Sequence, residues 1–159
     1  MNILVLSDSH GDLDAMIQAV EAVKPDCVLH LGDYWKDAMK LHERLGALPF
    51  YAVPGNCDMS VHAMDTRLLE LEGVRIYMTH GHELRVKMSP LRAILAAQEA
   101  QARVLCFGHT HSALCEERDG LWILNPGACG GKFASYGVIE IGQSGGVTCR
   151  IQRIGGETI

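Results

Sequence analysis

Five short polar motifs interrupt an otherwise apolar chain. They are Asp8-Ser9-His10, Gly32-Asp33, Gly55-Asn56-Cys57-Asp58, His80-Gly81-His82 and Gly108-His109-Thr110-His111. Imidazole and carboxylate together suit zinc, manganese, iron or nickel. In Asp8-Ser9-His10, His80-Gly81-His82 and His109-Thr110-His111 the metal-binding types are two residues apart. On a helix such residues diverge, whereas at a strand end or in a loop both can face one centre. Asp8, His10, Asp33, Asn56, His80, His109 and His111 offer seven side-chain ligands, too many for one catalytic ion with an open position. They suffice for two ions if one carboxylate bridges, and ion pairs roughly 3.5–4 Å apart recur in phosphoryl hydrolysis. By formal count two divalent ions outweigh Asp8, Asp33 and one hydroxide by about one positive charge, which attracts phosphate.

The chain as a whole carries the opposite charge. Its 159 residues include 14 Lys and Arg against 19 Asp and Glu, a net charge of -5 with a pI near 5.9. That excludes a broad basic surface for extended nucleic acid. At 48% hydrophobic and 21% charged the sequence is not a disordered one, and its length predicts one domain over 1–159. Met1 to Leu6 lacks a basic leader and is broken at once by Ser7-Asp8, so it reads as a strand and not a signal peptide. No stretch approaches the roughly 20 apolar residues of a membrane span, and no membrane partner is expected. Six scattered cysteines form no CxxC pair, which predicts reduced thiols in a cytoplasmic protein.

The motifs need a scaffold of strands, and the apolar pattern supplies one. Residues 2–7, 27–31 and 49–53 are short apolar runs. Between them Leu13, Met16, Ile17, Val20 and Val23, then Ala38, Leu41, His42 and Leu45, follow a helical period. This β-α-β-α-β order predicts a parallel sheet with helical crossovers. In the second half, residues 68–72 and 74–79 predict a hairpin around Gly73. Ser89-Pro90 predicts an N-cap and first residue for a helix to Gln101, and 104–107 a buried strand. Residues 113–117 and 121–124 meet across Asp119-Gly120, and 135–141 and 147–153 across a glycine-rich loop. Each of the five motifs thus falls at or near a strand end, the place where open α/β sheets bind ligands.

In order and spacing these motifs resemble those of the calcineurin-like metallophosphoesterase superfamily. The short chain, the Gly55-Asn56-Cys57-Asp58 motif and the late Asn125-Pro126-Gly127 resemble its small single-domain prokaryotic phosphodiesterase branch. The resemblance implies an α/β fold, an α/β-β/α four-layer sandwich of two packed mixed β-sheets flanked by helices. It implies that Asp8, His10, Asp33 and His111 hold one metal, and that Asp33 bridges to a second held by Asn56, His80 and His109. A metal-bridging hydroxide would then attack a phosphate ester, most readily a phosphodiester. Of the two divalent ions implied, Mn²⁺ is the first to test, with Ni²⁺, Zn²⁺ or Fe next. Cys57 departs from the wider superfamily, where a histidine there assists the leaving group. His82 is the nearest motif-borne replacement, with Asp58 as its orienting partner. The expected partner is a small phosphate-ester substrate, and homodimers or tetramers are common in such families.

Two other functions fit the same sequence. A non-catalytic interaction scaffold of this fold is one, as in a retromer subunit with an incomplete ligand set, but all seven ligands are present here. A nuclease is the other, restricted by the negative charge to short or cyclic nucleotides. His30 and His42 read as packing residues and His62 as a loop residue. Tyr34 and Trp35 read equally as pocket rim or core. The run from Gly127 to Lys132 is one residue short of a phosphate-binding loop and continues into Phe133, so it is not one.

Overall fold

In the computed structural model, which describes residues 1–156, the N-terminal apolar run becomes strand β1 (Asn2–Leu6). Ile3, Leu4, Val5 and Leu6 are all fully buried, as happens only in a strand covered on both faces. Helix α1 (Leu13–Val23) starts where the Asp12 side chain accepts the Ala15 N–H at 3.0 Å, and ends at Lys24 in the left-handed region. Strand β2 (Cys27–His30), helix α2 (Trp35–Leu45) and strand β3 (Phe50–Ala52) complete the crossovers. β1, β2 and β3 pair in parallel, as expected.

The second half builds most of another sheet. Strands β4 (Thr66–Leu71) and β5 (Val74–Thr79) form a hairpin whose turn is Glu72-Gly73, with φ 49° and 74°. Glu72 was expected in the strand; a two-residue turn matching the sheet's twist needs two left-handed residues and claims it. Helix α3 (Leu91–Glu99) begins one residue later than expected, with Pro90 as its cap and Ser89 Oγ accepting the Leu91 N–H at 3.2 Å. Strand β6 (Val104–Phe107) follows, then the hairpin of β7 (Leu114–Arg118) and β8 (Leu121–Asn125). Its turn is Asp119-Gly120, both residues left-handed, as the dipeptide predicts.

The last two strands, β9 (Ser135–Ile141) and β10 (Val147–Arg153), return to the first sheet. The sheets therefore run β10-β9-β1-β2-β3 and β4-β5-β6-β8-β7, both mixed. Val5, Leu29 and Ile139 of one sheet share a core with Ile76, Met78 and Cys106 of the other. α1 and α2 cover the outer face of the first sheet through Leu4, Leu6, Met16, Val28 and Leu41. α3 covers the outer face of the second through Ala93, Ala97, Leu105 and Ile123. Four layers result, α/β-β/α. Among the described residues no helix is long and apolar enough to cross a membrane, and all six cysteines are unpaired.

Candidate metal centre

Parallel pairing aligns the carboxyl ends of β1, β2 and β3 in one sheet and of β5, β6 and β8 in the other. The loops leaving these ends carry the candidate ligands, and hydrogen bonds sew them together. The Asp8 N–H donates to the Gly32 carbonyl at 3.0 Å and the Gly108 N–H to that of His80 at 3.1 Å. Across the sheets, the His109 N–H donates to Asp8 Oδ2 at 3.2 Å, and His80 Nδ1 lies 2.8 Å from the Leu31 carbonyl.

Two clusters share Asp8: Asp8 with His10 and His111, and Asp8 with Asp33 and His80. In the first, Asp8 Oδ1 is 3.0 Å from His111 Nε2, whose other neighbour is His10 Nε2 at 3.3 Å. In the second, His80 Nε2 is 3.2 Å from Asn56 Oδ1 and 3.6 Å from Asp33 Oδ1. His109 packs edge-on against His80 with ring centroids 4.9 Å apart. The seven ligands expected from sequence thus sit around one place, joined through Asp8, Asp33 and His80.

The donor chemistry fits cations. Burial holds the His80 pKa below the ordinary value against the pull of Asp8 and Asp33, so its ring is neutral. Its single proton must sit on Nδ1, because the Leu31 carbonyl beside it can only accept. Nε2 therefore presents a lone pair to two oxygens, an arrangement that repels itself unless a cation lies between. Asp8 supplies a second sign: its carboxylate is fully buried, with the donors Ser7 Oγ and His109 N–H both on Oδ2, and Oδ1 is left facing only the His111 imidazole at 3.0 Å. A buried carboxylate oxygen left this way costs several kcal/mol, roughly, without a counter-charge. Burial, with His80 and Lys87 nearby, also pushes His109 down to about 4 and leaves it a neutral ligand. Burial would raise Asp33, but the Cys57 N–H, His80, the Cys57 thiol and His109 outweigh it and hold it lowered and ionised.

Backbone conformation aims these side chains. Asp8, His10, Asp33, His109 and His111 all have φ between 50° and 67°, a region most residues with side chains avoid, although Asp and His tolerate it better than others. Glycines let the loops close. A Cβ on Gly55 would stand 2.1 Å from Asp33 Oδ1, and one on Gly108 would stand 2.0 Å from Ser7 Oγ.

The three remaining motif residues are divided. Cys57 is bound to Asp33 twice, its N–H donating to Oδ1 at 2.9 Å and its thiol to Oδ2 at 3.3 Å. Burial and that contact raise its pKa, which keeps the sulfur protonated. Asp58 does not reach His82. Its Oδ1 accepts the Trp35 N–H and its Oδ2 the Gly55 N–H, so it shapes its own loop. His82 stands beside the cluster, its ring 5.4 Å from His80 and 6.1 Å from His109, with Nε2 3.4 Å from Glu83. His30 is fully buried, His42 stacks on Phe50 at the surface, and His62 is exposed.

Three supporting residues were not read from the sequence. Ser7 Oγ donates to Asp8 Oδ2 at 2.5 Å. Asp37, in the first turn of α2, accepts from Ser9 Oγ and the Gly11 N–H at 2.9 and 2.8 Å, fixing the loop that carries His10. Asn125 at the end of β8 donates to the Gly108 carbonyl at 3.1 Å and to Thr110 Oγ1 at 2.9 Å. It also accepts the Gly127 N–H at 2.9 Å, so it braces the loop of His109 and His111. The rejected phosphate loop serves as a clamp: the Cys129 N–H donates to the Ser7 carbonyl, and Gly130 packs on Ser9.

Known proteins resemble this chain in sequence and in fold. Bacillus subtilis YsnB, named a probable metallophosphoesterase, is 38% identical over 132 residues, 80% of this chain and 75% of its own. Escherichia coli YfcE, named a phosphodiesterase, is 30% identical over 88% of each chain. Among solved structures, a Streptococcus pneumoniae protein described as a predicted phosphoesterase superposes with a TM-score of 0.80. Its identity is 26%, over 99% of this chain and 92% of that one. Entamoeba histolytica Vps29 has the same fold at a TM-score of 0.76, with 20% identity over 96% and 99% of the two chains. The family model described as the calcineurin-like phosphoesterase superfamily domain matches residues 1–143, every candidate ligand included, and the chain belongs to that superfamily.

Proposed function

We propose that the chain hydrolyses phosphate esters, phosphodiesters first, at a centre of two divalent ions. The observation that carries this is the convergence of acceptors with no donor between them: the His80 Nε2 lone pair against Asn56 Oδ1 and Asp33 Oδ1, with the buried Asp8 carboxylate alongside. Asp8, His10, Asp33 and His111 would hold one ion, and Asp33, Asn56, His80 and His109 the other. Bound ions would supply Lewis acidity toward the phosphoryl oxygens and would make water acidic enough to act as the nucleophile.

The chain's own groups prepare that chemistry. Cys57 fixes both oxygens of Asp33, the carboxylate that both ions would share. Burial keeps His80 and His109 unprotonated and ready to ligate. His82, outside the ligand set and beside it, is the group to protonate the leaving oxygen. The family match and the core shared by both sheets support reading 1–159 as one such domain.

The test is to measure bound metal in the purified protein, strip it, and assay an aryl phosphodiester with and without Mn²⁺, Ni²⁺, Zn²⁺ and Fe²⁺. Activity should return with metal and be lost in Asp33→Asn. Hydrolysis surviving both treatments would sink the dinuclear mechanism. The likeness to Vps29 supports a second reading, a scaffold that binds a partner protein. A metal-free, inactive protein that captures a partner would promote it. Light scattering of the same preparation reads the homodimer or tetramer of the first reading, and the six free thiols support its cytoplasmic placement.

A further inference from the structure

His30 ends β2, level with Leu6 of β1 and Ala52 of β3. Strand alternation puts it on the helix-covered face with Val28, where Leu4 and Leu6 also pack. The imidazole is fully buried there, and its Nε2 has no hydrogen-bond partner. Its Nδ1 accepts the Gly32 N–H at 3.3 Å. A backbone N–H only donates, so the ring proton sits on Nε2, the atom left without a partner. A leucine would fill this site and leave no donor orphaned in the interior. What the imidazole adds is the Nδ1 acceptor.

That acceptor holds one end of a peptide group whose other end reaches the metal centre. The Gly32 N–H and the Leu31 carbonyl belong to the same peptide plane, and His80 Nδ1 lies 2.8 Å from that carbonyl. Hydrogen bonds in such a chain polarise one another. Donation to His30 makes the Leu31 carbonyl a stronger acceptor for the His80 Nδ1 proton. His80 Nε2 becomes more basic in turn, and it is the atom that faces Asn56 Oδ1 and Asp33 Oδ1. The same N–H opens the turn that carries Asp33. Gly32, Asp33 and Tyr34 are left-handed in succession, at φ 100°, 58° and 64°, a run that costs backbone energy wherever a Cβ is present. The Gly32 carbonyl then accepts the Asp8 N–H at 3.0 Å. Fixing this peptide therefore sets the directions of Asp8, Asp33 and His80 together.

We infer that His30 is a positioning residue of the metal centre, acting through the Leu31–Gly32 peptide to aim Asp33 and to hold His80 in the tautomer that ligates. The inference rests on the metal-centre reading above. His30 itself stays outside the ligand set, on the far side of that peptide from His80.

Two measurements on the full chain test it. Nitrogen-15 spectra of the histidine rings, taken without metal, should show the proton of His30 on Nε2 and that of His80 on Nδ1. A His30 ring protonated on Nδ1 would overturn the inference without any substitution being made. Calorimetric titration with Mn²⁺ then compares two variants. The side chain of His30→Asn can accept the N–H two residues on, as in an Asx turn, and should keep Mn²⁺ affinity within about threefold of the parent. His30→Leu packs but accepts nothing; it should weaken Mn²⁺ binding about tenfold, the low end for groups that orient a metal ligand, and shift the His80 ring signals. It should nonetheless melt no lower than His30→Asn, which keeps a polar group in an apolar site. Mn²⁺ affinity that follows melting temperature across the variants would make the ring a packing residue and overturn the inference, as would parental affinity in His30→Leu. A parent chain that takes up no Mn²⁺ would overturn the metal-centre reading, and the inference with it.

Discussion

Substituting Gly55 by alanine adds one methyl group, and its effect can be worked out from distances. The new Cβ would lie 2.1 Å from Asp33 Oδ1, 2.4 Å from Asp33 N and 2.8 Å from Asp33 Cγ. Real Cβ atoms essentially never approach a neighbour below 3.0 Å, so the two loops must part by about 0.9 Å (3.0 less 2.1). A rotamer change in Asp33 cannot relieve this, because its backbone nitrogen is also too near. The carboxylate proposed to bridge the ions is therefore displaced by about 1 Å, a misplacement that costs on the order of 100-fold in rate, or about 2.7 kcal/mol of barrier. Overpacking adds about 1–3 kcal/mol of destabilisation, which lowers the melting temperature by several degrees but leaves the chain folded. The assay is kcat/KM on an aryl phosphodiester at saturating Mn²⁺, with bound metal counted by mass spectrometry and folding followed by thermal melting. Gly142→Ala is the control, since the nearest atom to its added Cβ is 3.7 Å away. Gly55→Ala protein with metal content and kcat/KM within twofold of the parent would refute the reasoning.

Other substitutions probe separate parts of the argument. Asn125→Ala removes two hydrogen bonds to the loop of His109 and His111 and a third to Gly127; it should cost about 1–3 kcal/mol in a denaturant titration and weaken metal binding about 10–100-fold. Burial pushes fully buried His30 from 6.5 to about 4, although Asp8, Asp58 and Asp37 pull the other way. The unfolded chain then takes up a proton near pH 6.5 that the folded chain refuses until about 4. Stability tied to neutral His30 is thus complete above pH 6.5 and is lost as pH falls through that window, by about 3 kcal/mol. His30→Gln should flatten that part of the pH–stability curve, and an unchanged slope would remove His30 as its cause. Cys57→His places an imidazole where the thiol touches Asp33, a second proton donor besides His82, and should raise turnover on poor leaving groups such as alkyl esters relative to aryl ones; an unchanged ratio of the two rates would count against proton supply as the limit on poor leaving groups.

The candidate ligands were legible as a set because each lies at or near the end of an apolar run, and the runs themselves announce parallel strands. Asp119-Gly120 announced its hairpin for a similarly local reason. What escaped reading is long-range. Asn125 acts on residues 15 and 17 positions away, and Asp37 on residues 26 and 28 positions away; neither partner is marked by local pattern. The return of β9 and β10 to the N-terminal sheet is set by tertiary packing of two equally apolar surfaces. Asp58 was paired with His82 on chemical type, but backbone N–H groups nearer in sequence claim both of its oxygens. Tyr34 and Trp35 read equally as core or rim because aromatic residues serve either; their exposure decides, with Tyr34 exposed and Trp35 half-buried.

The left-handed backbone at Asp8, His10, Asp33, His109 and His111 separates the fate of the fold from that of its chemistry. Each such residue is tolerated at a cost of about 1–3 kcal/mol, and glycine or asparagine at the same position relieves part of it. Replacement by glycine or asparagine at these five positions therefore runs downhill in backbone energy while it erases the centre. A descendant of this chain under no demand for catalysis would keep its two sheets, gain stability and fall silent as an enzyme. The strain at these five positions thus serves the reaction and not the shape.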